Sequence, residues 1–81
     1  MKSASLMSII EFMRSIIAHE MNIQPDRIDI DLPFHRLGLD SINSLYLLEK
    51  VEKRYNLEIS PLYFWDYPTI RTLASQLYKE I

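Results

Sequence analysis

The stretch LGLDSINSLYLL, residues 37–48, holds the single glycine of the 81-residue chain and leads directly into a helical pattern. Gly38 suits a tight turn, because glycine adopts positive φ and lets the backbone approach closely. Asp40 and Ser41 then stand at the start of the helix. There the free backbone N–H groups and the positive end of the dipole favour an anion, and both residue types are also ordinary helix caps. Stepping residues at 100° puts Ser44, Leu47, Leu48, Val51 and Tyr55 in one arc. Ile42, Leu45, Tyr46 and Glu49 fall in a second arc, roughly 160° away around the same helix. Both arcs cannot face one core. Either the preceding loop or a short following helix covers the second arc, or it is a partner surface of the kind exposed apolar patches mark.

Working outward, Leu6, Ile9, Ile10, Met13, Ile16 and Ile17 make one amphipathic stripe. Ser5 is its N-cap, and Met21-Asn22-Ile23 is its stop, with Asn in the left-handed C′ position and Ile supplying the accompanying apolar contact. Residues 22–40 contain Pro25, Pro33 and Gly38. Their alternation of Ile28, Ile30 and Leu32 with Asp29 and Asp31 has no second strand to pair with. The segment therefore reads as a long extended loop pinned by its aliphatics, Phe34 and Leu37, and a loop this long in a small domain is commonly functional. The second helix runs from about Asp40 to Tyr55, with Asn56-Leu57 repeating the stop. Ser60-Pro61 opens a helix of a turn or two, Leu62 to Trp65, which Asp66-Tyr67-Pro68 closes. Thr69 caps a last helix whose stripe is Ile70, Leu73, Ala74, Leu77 and Ile81. The expected fold is an all-α small four-helix bundle, three main helices plus one short one, with a long loop between the first and second and a single domain over 1–81.

Composition narrows the function classes. Cysteine is absent, so no disulfide or thiolate metal site holds the fold. The net charge is −2 and the longest basic cluster is Lys53-Arg54, which leaves no footprint for nucleic acid or an anionic membrane. The N-terminus is broken by Ser, Glu and Arg and cannot serve as a signal peptide, and no run of apolar residues is long enough to span a bilayer. A cytoplasmic location is expected.

Leu37-Gly38-Leu39-Asp40-Ser41-Ile42, followed about two dozen residues later by Phe64-Trp65-Asp66-Tyr67-Pro68-Thr69-Ile70, resembles the phosphopantetheine-binding carrier proteins of fatty-acid, polyketide and nonribosomal-peptide synthesis. The likeness covers essentially the whole chain. It implies that Ser41 receives 4′-phosphopantetheine from coenzyme A through a phosphodiester, that Asp40 and Gly38 shape the attachment site, and that the arm's thiol carries acyl cargo as a thioester. The resemblance also implies docking by phosphopantetheinyl transferase and by acyl-processing enzymes such as a ligase, ketosynthase or acyltransferase, on Ile42, Leu45, Tyr46 and Glu49. The second segment resembles polyketide and nonribosomal carriers more than bacterial fatty-acid carriers, whose helices are more acidic. Some branching-module polyketide carriers have Trp where this chain has Leu47, so that specialised role is not implied. The Met1 start, and an end one residue after Glu80, favour a discrete carrier acting as a monomer.

Other readings are weaker. Ser41, His35 and Asp40 are the residue types of a hydrolytic triad, but no nucleophile elbow or oxyanion hole accompanies them, and no catalytic residue is expected. His19 and His35 lack metal-ligand spacing, and His19 suits a helix C-terminus. A calcium loop begun at Asp29 would put Phe34 where glycine is required. Phe64, Trp65 and Tyr67 read as core and lid residues. The remaining alternative is a helical adaptor binding a partner through Ile42, Leu45 and Tyr46 without a prosthetic group.

Overall fold

The computed structural model describes residues 4–81. Met1, Lys2 and Ser3, which begin the stretch read against a signal peptide and include the start that favours a discrete carrier, lie outside the described residues. Four helices follow in order: α1 (Leu6–Met21), α2 (Ser41–Tyr55), α3 (Tyr63–Asp66) and α4 (Ile70–Glu80), with no strand among the described residues.

The helix ends follow from local chemistry. Ser5 and Ser8 make a reciprocal capping box at α1, each backbone N–H donating to the other's Oγ at 3.0 and 3.1 Å. Thr69 and Thr72 do the same at α4. Helices α1 and α2 both stop at an asparagine in the left-handed region, Asn22 (φ 56°) and Asn56 (φ 55°). The next residue closes each end, Ile23 N–H donating to Ala18 O and Leu57 N–H to Glu52 O. Leu57 packs on the core as the motif requires. Ile23, expected to supply the same apolar contact, stays 40% exposed. The short helix begins one residue later than expected. Ser60 first forms a turn, its Oγ accepting from Leu62 N–H and its carbonyl from Tyr63 N–H, so helical geometry starts at Tyr63.

Ile9, Ile10, Met13 and Ile17 of α1 meet Leu47, Leu48 and Val51 of α2 and Ile70, Leu73 and Leu77 of α4, all essentially removed from solvent. Each such side chain stabilises the fold by roughly 1.5–3 kcal/mol through burial. Helix α1 packs on both α2 and α4, so it is the bundle's central column.

The long connection is more ordered than an extended loop. It contains two one-turn 3-10 helices, Pro25–Arg27 and Phe34–Leu37. Ile28, Phe34 and Leu37 are buried, and Ile30, Leu32 and Leu39 pack on the core's edge. Its backbone finds partners at the α3–α4 junction: Phe34 N–H donates to Pro68 O at 2.8 Å, Arg71 N–H donates to Ile30 O at 3.1 Å, and Pro33 bridges Thr69. The guanidinium of Arg14 on α1 donates twice to Ile28 O. That of Arg71 grips Asp31 through Nε at 2.6 Å and a terminal nitrogen at 3.2 Å. These contacts satisfy polar groups that a loop laid against a core would otherwise leave unpaired.

The Arg71 hydrogen bond, helped by its charge and opposed by weaker desolvation, holds Asp31 below the usual carboxylate range. Because the folded-state value lies below the unfolded one, the ionised pair stabilises the fold fully above the unfolded value, about 3.9. That contribution is lost as pH falls through the folded value. Asp31→Asn should therefore be less stable than the parent near neutrality by a small margin, as befits an exposed pair. Denaturant melts should find the two curves converging as pH falls through and below that range; a gap that persists or widens there would contradict the pairing.

Candidate functional site

The turn into α2 is built by Gly38 and Asp40. Gly38 has φ +89°, and a Cβ there would come 3.3 Å from Met21 Cε, so both conformation and space favour glycine. Two residues on, Asp40 is the N-cap, its Oδ1 accepting from Asn43 N–H at 2.7 Å while its carbonyl takes Ser44 N–H. Ser41 is the first helical residue and is exposed. Its hydroxyl has no partner among the described residues, and neither do the N–H groups of Ser41 and Ile42. Two free donors beside an exposed hydroxyl at a helix N-terminus fit a phosphodiester on that oxygen.

Ser41 opens onto a groove of about 520 Å³ between α2 and α3. Leu39 and Leu45 line one side, and Pro61, Phe64, Trp65 and Pro68 the other, with Phe34 also contributing to the lining. Its polar lining is His35, Asp40, Ser41 and Ser44. The Phe34 and Phe64 rings meet edge to face with centroids 4.9 Å apart, joining the loop to α3. Ser44, assigned by periodicity to the core arc, is only half-buried because it sits in the first turn of α2, at the end of that stripe, and lines the groove.

The second arc of α2 is uncovered by either the loop or α3. Ile42 is 76%, Leu45 54% and Tyr46 37% exposed, and Glu49 is also on the surface. Lys50 lies over the Tyr46 ring at 5.2 Å, and Glu49 pairs with Lys53 at 3.2 Å. The face is therefore apolar beside Ser41 and mixed in charge farther along. Trp65, expected as core or lid, is 83% exposed. A four-residue helix with Phe64 turned inward carries the adjacent ring outward. The groove itself escaped periodicity, which sees one helix at a time. The signal available was Pro61 and Pro68 bracketing an aromatic cluster too short to bury all its rings.

Of the triad types, Asp40 is committed to capping, and His35 lines the same groove as Ser41 with no hydrogen bond between them. His19 lies in the last turn of α1, away from that lining.

Leu48, 3% exposed, belongs to the core arc of α2, whereas Leu45, one turn away at the near edge of the second arc, is 54% exposed. Leu48→Ala should cost ~2–5 kcal/mol of stability through lost burial and a cavity. Leu45→Ala should change it by no more than about 0.5 kcal/mol, as at a surface site. Urea melts of both variants decide this; equal losses would mean that the second arc is structural.

The family model described as a phosphopantetheine attachment site matches residues 11–77. Over 71 residues the chain is 37% identical to polyketide synthase PksL of Bacillus subtilis, covering 88% of this chain and 2% of that protein. Over 69 residues it is 33% identical to a phenolphthiocerol/phthiocerol polyketide synthase of Mycobacterium tuberculosis, 85% of this chain and 4% of that protein. The chain thus spans only a small part of the length of these synthases. Two solved structures match over nearly their whole length. One is a free-standing peptidyl carrier protein from an Acinetobacter baumannii secondary metabolic pathway, with 38% identity, TM-score 0.87, and coverage of 94% and 95% of the two chains. The other is an acyl carrier protein from Anabaena with a variant phosphopantetheinylation-site sequence, with 31% identity, TM-score 0.89, and coverage of 99% and 91%.

Proposed function

This chain belongs to the phosphopantetheine attachment-site family, the acyl and peptidyl carrier proteins, and from that membership we propose that Ser41 is the residue that bears the arm. The observation that carries this reading is the placement of Ser41: an exposed, uncommitted hydroxyl at the first position of α2, with two free N–H donors beside it and an apolar groove alongside. Bound 4′-phosphopantetheine supplies the thiol on which an acyl or aminoacyl group rides as a thioester, and the chain has no cysteine of its own to compete.

The chain's own residues then divide the work. Gly38 turns the backbone so that Ser41 projects outward. Asp40 holds the first turn of α2 without occupying the hydroxyl or the N–H groups of Ser41 and Ile42. Ile42, Leu45 and Tyr46 offer an apolar docking face next to the modified oxygen, flanked by Glu49, for the transferase and then for loading and processing enzymes such as a ligase, ketosynthase or acyltransferase. The polyketide synthase relatives support a polyketide-type pathway. In this reading residues 1–81 form a single, monomeric, non-catalytic carrier domain working in the cytoplasm. An adaptor that uses the same face and never carries a prosthetic group does not fit the family.

Incubation with coenzyme A and a broad-specificity phosphopantetheinyl transferase should add one phosphopantetheinyl unit, read by intact mass and mapped by peptide fragmentation to Ser41. Ser41→Ala should accept none while keeping the parent's helical circular dichroism. Leu45→Ala should still be modified, with kcat/KM for the transferase lowered by about 5- to 30-fold, as when an apolar anchor worth about 1–2 kcal/mol leaves a small interface. Modification of Ser44 or Ser60, or of the Ser41→Ala variant, would overturn the assignment.

A further inference from the structure

We infer that His35 is the counter-cation of the modified site: its imidazolium pairs with the phosphodiester on Ser41 and holds the first bonds of the arm across the mouth of the α2–α3 groove. This rests on the Ser41 reading above. His35 and Ser41 line the same groove, although they are six positions apart in the chain with the Gly38 turn between them. Among the described residues lining it, His35 is the one basic side chain and Asp40 the one acidic side chain; the lining residues from α3 and its flanks, Pro61, Phe64, Trp65 and Pro68, carry no ionisable group. The Asp40 carboxylate is fixed at the N-cap by Asn43 N–H.

Modification places a second negative charge beside Asp40. Two like charges at one groove mouth raise the local demand for a cation. The imidazole meets that demand because it can take a proton from water in the physiological pH range.

The position of His35 is set by its neighbours. Phe34 is buried, stacks edge-on to Phe64 and donates its N–H to Pro68 O, and Leu37 is buried at the other end of the same one-turn helix. His35, between them, is exposed and its side chain makes no hydrogen bond among the described residues, so pairing with the phosphodiester would displace no existing side-chain interaction. Protonated His35 would hold the phosphodiester at the groove mouth, and loss of the proton would weaken that hold.

The chain has two histidines, and the other, His19, lies on α1 outside the groove, which gives an internal control. The two imidazoles would be followed by proton NMR against pH in the apo form and in the phosphopantetheinylated form. The attachment residue is first confirmed by mass mapping. The expected result is that the His35 titration midpoint moves upward on modification by about half a pH unit or more, while His19 stays within error. The shift should shrink at high salt, because the groove mouth is exposed. In the modified protein the phosphorus resonance should follow the same midpoint, since a phosphodiester does not itself titrate there, and His35→Gln should abolish that dependence. With the arm mapped to Ser41, an unmoved His35, equal movement of both histidines, or a phosphorus titration that survives His35→Gln would overturn the counter-cation role. Attachment at another residue would overturn the Ser41 reading and this inference with it.

Discussion

The Phe34 ring, buried and set edge-on against Phe64 with 4.9 Å between centroids, fixes the relation between the long connection and the short helix. Its backbone N–H meets Pro68 O at 2.8 Å, and Pro33 bridges Thr69, so one residue ties the connection to the α3–α4 junction by ring packing and by backbone pairing. Everything at the candidate site hangs from that attachment. The 3-10 helix that begins at Phe34 leads to Gly38, whose left-handed conformation turns the chain into Asp40 and Ser41. The same ring seats α3, the far wall of the groove. Loss of this anchor would free the turn and the wall together, which places the site's rigidity in the connection rather than in the bundle's central helices.

That dependence explains what was legible in the sequence and what was not. The helix ends were readable because each is decided within a few residues: Ser5 with Ser8, Thr69 with Thr72, and the asparagine stops at 22 and 56. The core stripes were readable because 3.6-residue periodicity records burial directly. The ordering of the connection was not. Ile28, Ile30 and Leu32 alternate as in a strand, yet the Ile28 carbonyl accepts from Arg14 on α1 and the Ile30 carbonyl from Arg71 N–H, distant contacts that no local pattern announces. Ser44 and Trp65 were misjudged for a related reason. Each sits where an element's edge meets a groove, and the groove exists only after α2 and α3 have been brought together.

The two faces of α2 show how one helix serves fold and surface at once. Leu47, Leu48 and Val51 are removed from solvent, and their burial in the core organised around α1 accounts for why α2 is a helix at all in a chain this short. Ile42, Leu45 and Tyr46 contribute little to that core and remain exposed at a cost in solubility. With Lys50 over Tyr46 and Lys53 paired to Glu49, the flanking charge is largely balanced within the helix itself. A partner meeting this face would gain most from apolar contact near Ser41, so its binding energy would be concentrated beside the proposed attachment oxygen and would depend only weakly on ionic strength.

The first turn of α2 leaves room for both a cap and the proposed modification. A helix N-terminus has four backbone N–H groups without intrahelical acceptors. In α2 these are the groups of Asp40, Ser41, Ile42 and Asn43; Asn43 N–H goes to the Asp40 carboxylate, Ser44 N–H makes the first intrahelical bond to the Asp40 carbonyl, and the N–H groups of Ser41 and Ile42 remain without a partner among the described residues. A phosphodiester on Ser41 Oγ would draw on these remaining donors, so cap and modification use separate sets. Were the serine itself the cap, its oxygen would be committed to the helix, and attaching a group there would remove an interaction typically worth ~1 kcal/mol. Placing aspartate at the cap and serine one residue later lets the proposed arm be added without loosening the helix. It would also set two negative charges side by side, and that crowding is what the role proposed for His35 would answer.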